Sequence, residues 1–472
     1  MGRSHPGSQD TGRLDVVASL VERARAAQAR YERCSQDEVD EVVTAAGWAI
    51  VKPQNNRRLA ERAMVDTGLG NVADKIAKNE RKTMGLLRDL QGAKSVGVIA
   101  EYPGLGIVEI ARAAGVVAAL TPSTNPGATP ANKILNALKG RNAVIVAPSP
   151  KGWSTCELLL QFIHAELKKL QAPENLVQML PAPVTKESTA ELMRAADLVV
   201  ATGSQANVRA AYSSGTPAVG VGLGNVAVFV DDSADLADAA RKIQESKCFD
   251  NATSCSSENS LVIHGRVYEP MLDALHAQGG ILLNAAEKAK LQAAMWRGGK
   301  LSAEVMARPV ADILKLAGLA RRDAKFLMVE ETGVGKDSPF SGEKLSLVLT
   351  VYKVPDFDAA FSLIKKIYEY QGAGHSVGIH TRNDAQVMRL GLGMPAARVI
   401  VNQAHAIASG GAYDNGLPFS LSMGCGTWGR NSISENMNYR HYLNITRIVR
   451  TIPPRVPTED EIFGRYFARH GR

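Results

Sequence analysis

The residues with the clearest chemical potential lie in one polar stretch, Cys248-Phe249-Asp250-Asn251-Ala252-Thr253-Ser254-Cys255-Ser256-Ser257-Glu258. Small polar residues of this kind form a turn, here between a helical segment and an apolar run that starts at Ser260. A core cysteine normally sits among aliphatic side chains. Cys255 does not. A nucleophilic thiol needs such partial exposure, with donors nearby to stabilise the thiolate. Asn125 is the second candidate, in Thr121-Pro122-Ser123-Thr124-Asn125-Pro126, between an apolar run and a helical segment. Asn before Pro ordinarily shapes a turn. An amide at the carboxyl end of a strand can instead donate to a developing oxyanion. The residues alone leave both roles open. Cys34 follows a charged helical segment, Cys156 falls within one, and Cys425 lies in a glycine loop, so these three read as structural.

Other motifs fail on context. Gly424-Cys425-Gly426-Thr427-Trp428-Gly429 matches G-x-G-x-x-G, but it neither follows a strand nor opens an apolar helix. Gly335-Lys336 resembles a phosphate loop, yet Asp337 stands where Ser or Thr is required and Glu330 where the first glycine belongs. Gly220-Val221-Gly222-Leu223-Gly224 follows a strand-like run with the wrong spacing for a dinucleotide fingerprint, although it allows close backbone approach. The nine histidines are dispersed and no Cys-x-x-Cys pair occurs, so no metal site is expected.

These residues need elements to position them. The first 90 residues read as helices, at about 14–21, 36–50, 56–66 and 72–90. Apolar runs at 116–120, 143–147, 176–180, 198–201 and 217–221 then alternate with helical segments at about 128–138, 152–169, 186–195 and 204–213. A second alternation sets strands at 260–263, 326–329, 345–351, 376–380 and 398–401 against helices at about 267–278, 285–294, 357–369 and 383–391. Alternation of this kind argues for parallel sheets with crossover helices, which bind ligands at the carboxyl ends of their strands. The expected class is α/β with two α/β domains and a boundary near 242–248. Residues 96–114 read as an extended hairpin, and the chain alternates again from about 436.

At 472 residues the chain is long enough for about three units at roughly 150 residues each. Hydrophobic residues at 45% and charged residues at 22% are ordinary for a globular protein and exclude a disordered or fibrous one. No apolar run approaches the ~18–20 residues of a membrane helix, so no membrane association is expected. The segment MGRSHPGSQDTGR has no apolar core, and Pro6 occupies the Ser/Thr position of a myristoylation motif. Five scattered cysteines fit a reducing, cytoplasmic setting. The net charge of +8 reads first as a solvated, mildly basic surface and alternatively as attraction for anions such as phosphorylated cofactors, while aromatics at 5% and dispersed basic residues argue against nucleic acid.

Taken together, the segments resemble the aldehyde dehydrogenase superfamily in its CoA-acylating branch. The resemblance is carried by 120–126, Ala147-Pro148-Ser149-Pro150, Ala201-Thr202-Gly203-Ser204, 219–225, 249–258, Phe340-Ser341-Gly342-Glu343-Lys344-Leu345-Ser346, Gly374-His375-Ser376 and 424–436. These occur in family order over nearly the whole chain. The resemblance implies a Rossmann-type cofactor domain (1–242), a catalytic domain (243–435) and a small β element for oligomerisation (96–114 with 436–472), hence a homodimer or homotetramer. It implies that Cys255 is the nucleophile and that Asn125 and the Cys255 backbone N–H hold the oxyanion. It further implies cofactor contacts from Thr121, Pro122, Ser149, Lys151, Gly203, Ser204, Gly222 and Leu223, with Glu343 on the nicotinamide ribose.

One departure bears on mechanism. Hydrolytic members carry a general-base Glu in Glu-Leu-Gly-Gly. Aligned through Gly224, that Glu falls on Val221, which cannot accept a proton. CoA-acylating relatives share this absence, because a thiol replaces water, and His375 matches a histidine that assists the CoA thiol; a solvated structural histidine is the alternative. The acid that pairs the adenosine ribose in many NAD enzymes falls on Pro150, followed by Lys151, which favours NADP over NAD. The implied substrates are CoA and a short anionic aldehyde, sulfoacetaldehyde first, with succinate semialdehyde, acetaldehyde and propionaldehyde behind. A hydrolytic enzyme with another base, or a catalytically silent protein on the same fold, are the alternatives.

Overall fold

The computed structural model describes residues 8–472. The readings of the N-terminal segment and of Pro6 lie outside the described residues. Four helices open the chain: α1 (Ser8–Tyr31), α2 (Gln36–Val51), α3 (Pro53–Thr67) and α4 (Val72–Leu90). A capping box at Ser35 starts α2, and Gly68 in the left-handed region ends α3. The hairpin β1 (Gly97–Tyr102) and β2 (Ile107–Ala113) follows, antiparallel as its alternation requires.

The first sheet takes β3 (Val116–Thr121), β4 (Ala143–Pro148), β5 (Val177–Met179), β6 (Leu198–Thr202) and β7 (Ala218–Val221). Its order is β5-β4-β3-β6-β7, and every pair is parallel. The crossovers are α5 (Ala128–Lys139), α6 (Trp153–Lys169), α7 (Lys186–Ala195) and α8 (Gln205–Tyr212). The chain steps outward from β3 to β5, then returns to β6 on the other side of β3. That reversal is a topological switch point, and a crevice opens there beyond the strand ends. Val117, Ile145 and Val199 pack with Ile134 and Leu159 of the crossovers and with Val43 and Ile50 of α2 in one core.

The second sheet begins earlier than expected. β8 (Val226–Val230) pairs with β9 (Glu258–His264) and with the strand Val377–His380, so the chain changes sheets between Val221 and Val226 rather than at 242–243. The run Val226-Ala227-Val228-Phe229-Val230 is apolar throughout because both faces are buried, and it follows a glycine loop that hides its start. Residues 226–242, including the start of α9 (Leu236–Cys248), therefore serve the second sheet. That sheet is parallel, in the order Gly280–Leu282, Phe326–Glu330, Val348–Val354, β9, β8, Val377–His380, Val399–Val401. The strand expected from 345 starts at Val348. Leu345 has φ +43°, and the buried Lys344 turns back to donate to the carbonyls of Asn259, Phe340 and Gly342. The strand Leu443–Val449 adds to β2, giving a three-stranded antiparallel sheet distinct from the two parallel ones. No helix among the described residues is long and apolar enough to cross a membrane.

Candidate active site

Cys255 sits in the turn between Phe249–Ala252 and β9. Asp250, Asn251 and Ala252 all have positive φ, at 50°, 53° and 61°, which L residues adopt only when surrounding contacts enforce it. The contacts come from α4 and the turn before it. The Asp250 carboxylate accepts from the Asn71 backbone N–H at 2.9 Å, from Lys75 Nζ at 3.1 Å, from Lys78 Nζ at 2.5 Å and from Thr253 Oγ1 at 2.9 Å. Its own N–H donates to Asp74 Oδ2 at 2.7 Å. A Cβ on Gly70 would lie 1.8 Å from Asp250 Oδ1, so only glycine fits there. Burial opposes the Asp250 charge, but Lys78 and Lys75 hold its carboxyl below the usual range.

Asn125 lies beyond β3, where its backbone carbonyl accepts from Thr129 and starts the following helix. The turn-forming role is therefore real. Its side chain is also fixed: Lys78 Nζ donates to Asn125 Oδ1 at 2.8 Å. That orientation leaves the amide N–H groups without an acceptor among the described residues. The Cys255 backbone N–H likewise has none. The two donors are those an oxyanion would need.

His375 is not solvated. It is 1% exposed and precedes its strand, with Nε2 3.2 Å from Cys255 Sγ. Its Nδ1 lies 2.7 Å from Ser376 Oγ, and Ser376 Oγ lies 2.8 Å from His405 Nε2. Burial, then the nearby Arg398, lowers His375 to about 3, so the imidazole is neutral. Burial, then the Glu343 carboxylate, pushes the Cys255 thiol up to about 12, although the side chain keeps some exposure to the cleft. Arg398 ties the site to the glycine loop, donating to the carbonyls of His375 at 2.9 Å and Gly424 at 3.0 Å.

The remaining positions lie at the carboxyl ends of the strands of the first sheet. Thr121 ends β3 and Pro122 follows it, Ser149 and Lys151 follow β4, Gly203 and Ser204 follow β6, and Gly222 and Leu223 follow β7. Ser149 N–H donates to the Thr121 carbonyl at 3.1 Å, Gly203 has φ +154°, and Lys151 is exposed. Glu343 reaches in from the second sheet and accepts from the Gly224 N–H at 3.3 Å. Burial pushes its carboxyl up to about 8, partly offset by that N–H. Gly224 itself must be small, since a Cβ there would come 2.2 Å from the Cys255 carbonyl oxygen. Open α/β sheets place their ligands beyond the strand ends at such a switch point. Val221 ends β7, buried, so no carboxylate projects from that position. No group of His, Cys, Asp or Glu among the described residues could hold a metal ion.

Lys78, Asp250, Arg398 and His405 were not singled out from sequence. For Lys78 a signal existed: Lys75, Lys78 and Lys82 recur at i, i+3 and i+7, one face of α4, and all three are buried.

A profile of the aldehyde dehydrogenase family matches residues 8–285. Sulfoacetaldehyde dehydrogenase (acylating) of Cupriavidus necator is 62% identical over 461 residues, covering 97% of this chain and 94% of that protein. Succinate-semialdehyde dehydrogenase (acetylating) of Clostridium kluyveri is 38% identical over 95% of this chain and 99% of its own length. The crystal structure of an acetylating aldehyde dehydrogenase from Geobacillus thermoglucosidasius superposes with a TM-score of 0.92 at 35% identity, over 96% of this chain and all of that one. The profile covers more than half of the chain and the relatives match it over almost its whole length, so the likenesses agree: the chain belongs to the aldehyde dehydrogenase family.

Proposed function

We propose that this protein is a CoA-acylating aldehyde dehydrogenase that oxidises a short anionic aldehyde, sulfoacetaldehyde first, to its CoA thioester. Cys255 Sγ attacks the aldehyde carbonyl, and the oxyanion receives the N–H groups of Asn125 and of the Cys255 backbone. When bound, the nicotinamide supplies the hydride acceptor, with Glu343 on its ribose and the residues around β3, β4, β6 and β7 on the rest of the dinucleotide. Loss of hydride leaves an acyl thioester on Cys255. The CoA thiol then displaces the acyl group and returns the cysteine, His375 being the nearest group to that exchange. The balance is aldehyde, CoA thiol and oxidised dinucleotide to acyl-CoA, reduced dinucleotide and one proton.

The observation that carries this reading is the pairing of Val221 with His375. Where a water-activating carboxylate would stand there is a buried valine, and the group against Cys255 Sγ is a neutral imidazole. The 62% likeness to an acylating sulfoacetaldehyde dehydrogenase supports the substrate. Pro150 and the exposed Lys151 support NADP over NAD. The exposed Val98, Tyr102, Ile448 and Val449 on the three-stranded sheet support a homodimer or homotetramer built on that sheet. Five free thiols support a cytoplasmic setting.

The test is an aldehyde panel with NADP or NAD, with and without CoA, read at the reduced-nicotinamide band. Sulfoacetaldehyde should give the highest kcat/KM and an acyl-CoA product. A higher value for succinate semialdehyde or acetaldehyde would reassign the substrate within the same reaction.

A further inference from the structure

Four groups form an unbroken buried chain from the thiol inward: Cys255 Sγ, His375, Ser376 Oγ and His405, at 3.2, 2.7 and 2.8 Å. His375, Ser376 and His405 are each 1% exposed. The chain ends at His405 Nδ1, which is buried and has no hydrogen-bond partner among the described residues. A Cβ on Gly378 would lie 2.8 Å from that nitrogen, so a strand backbone closes off the space where a partner could stand.

Both rings are neutral, because burial lowers His375 to about 3 and His405 well below its ordinary value. Each ring therefore carries one N–H, and the Ser376 hydroxyl can donate only once. The chain then has two self-consistent arrangements. In one, His405 holds its proton on Nδ1, Ser376 donates inward, and His375 Nε2 presents a lone pair to the sulfur. In the other, His405 donates from Nε2 to Ser376, Ser376 donates to His375 Nδ1, and His375 presents Nε2–H to the sulfur. The orphaned Nδ1 separates them. A buried N–H without an acceptor costs more than an unused lone pair, and orphaned donors are correspondingly rarer in folded proteins.

We propose that His405, acting through Ser376, is a positioning residue that fixes the tautomer of His375, so that in the free enzyme His375 faces Cys255 as a hydrogen-bond donor that stabilises the thiolate. His405 touches neither substrate nor cofactor. The effect is transmitted by two hydrogen bonds and needs no charge on either ring.

Other titratable groups face this chain. Glu343, Cys425 and Arg398 act on Cys255, Arg398 acts on His375, and His375, His380 and Arg398 act on His405. Glu258 and Lys247 sit on the far side, where Ser246 joins the Glu258 carboxylate to the N–H of Ala406. All of these stay in place when only His405 or Ser376 is changed, so a difference between variants reports the chain itself.

The test is the pH dependence of Cys255 alkylation by iodoacetamide in the full-length enzyme without aldehyde or CoA, with the labelled peptide mapped. It rests on Cys255 as the nucleophile of the proposed function. His405→Phe cannot donate, which frees the His375 tautomer. Its alkylation at pH 8 should fall roughly three- to tenfold, the range for one hydrogen bond, and its midpoint should move up. His405→Gln places a carboxamide N–H at the depth of Nε2 and should restore the wild-type profile. Ser376→Ala removes the bridge with little change of volume and should behave like His405→Phe, so it carries the test if the phenylalanine does not fold. A wild-type profile in folded His405→Phe or Ser376→Ala would overturn the proposal. So would a lowered midpoint, which would mean that His375 faces the sulfur as an acceptor, or a failure of His405→Gln to rescue at an unchanged melting temperature. Absence of Cys255 labelling in the wild type would count against the nucleophile assignment as well.

Discussion

Lys78 Nζ lies 2.8 Å from Asn125 Oδ1 and 2.5 Å from Asp250 Oδ2, so one buried ammonium joins the candidate oxyanion amide to the loop that carries Cys255. The two halves of the site come from different sheets, and α4 holds them in register. Preorganised donors of this kind stabilise charge without reorganising at the moment of reaction. Asn125→Ala should keep Cys255 labelling but lower turnover by roughly 10²–10³, the usual loss for one oxyanion donor. Lys78→Met should lower turnover too, by roughly 10- to 100-fold, because the amide remains but is free to rotate. It should also lower the melting temperature, since Asp250 keeps only Lys75 as a charged partner. Unchanged turnover in folded Asn125→Ala would leave that residue its turn-forming role alone.

Cys255→Ala should abolish aldehyde oxidation and spare dinucleotide binding, because it removes the covalent step and leaves the crevice intact. Stopped-flow turnover with fluorescence titration of the reduced cofactor separates the two. Near-normal turnover would refute the nucleophile assignment.

The cofactor preference depends on one exposed cation. Lys151→Glu should weaken NADP and spare or improve NAD, read as KM for each. Equal losses for both would place Lys151 away from the 2′-phosphate.

Most of the fold was legible. The strands and crossovers of the first sheet fall within a residue or two of their apolar runs, because a parallel sheet buried on both faces leaves uninterrupted aliphatic stretches. β8 was missed because it follows β7 after one glycine loop, with no helix between to mark a new strand. Cys255 stood out by its polar surroundings, and Asn125 by its place after a strand. The supports of the site did not stand out in this way. Lys78 looks like any surface lysine until α4 is turned inward, and Asp250 looks like an ordinary turn residue until its positive φ and its partners are seen. Arg398 and His405 sit 143 and 150 positions from Cys255, so no local spacing links them to it.

Buried neutral histidines should make the protein acid-sensitive. Burial lowers His375 to about 3 and His380 to about 4, against about 6.5 in an unfolded chain. Between those values the unfolded chain binds more protons, so stability falls as pH drops from about 6.5 toward 4. For His380 alone the loss by pH 4 is on the order of 3 kcal/mol. Melting temperature should decline over this window, and His380→Leu should flatten the decline. A wild-type slope in that variant would assign the acid sensitivity to other groups.

In the proposed mechanism the Cys255 thioester waits for a thiol rather than for water. Rapid mixing of enzyme, sulfoacetaldehyde and NADP without CoA distinguishes the two. A valine at position 221 and a neutral His375 at the sulfur give water no strong base, so one burst of reduced cofactor per active site should appear and then stall. Adding CoA should restore steady turnover and yield acyl-CoA. Steady turnover without CoA at a comparable rate, with free acid as the product, would contradict this mechanism and instead assign water activation to another group, His375 first.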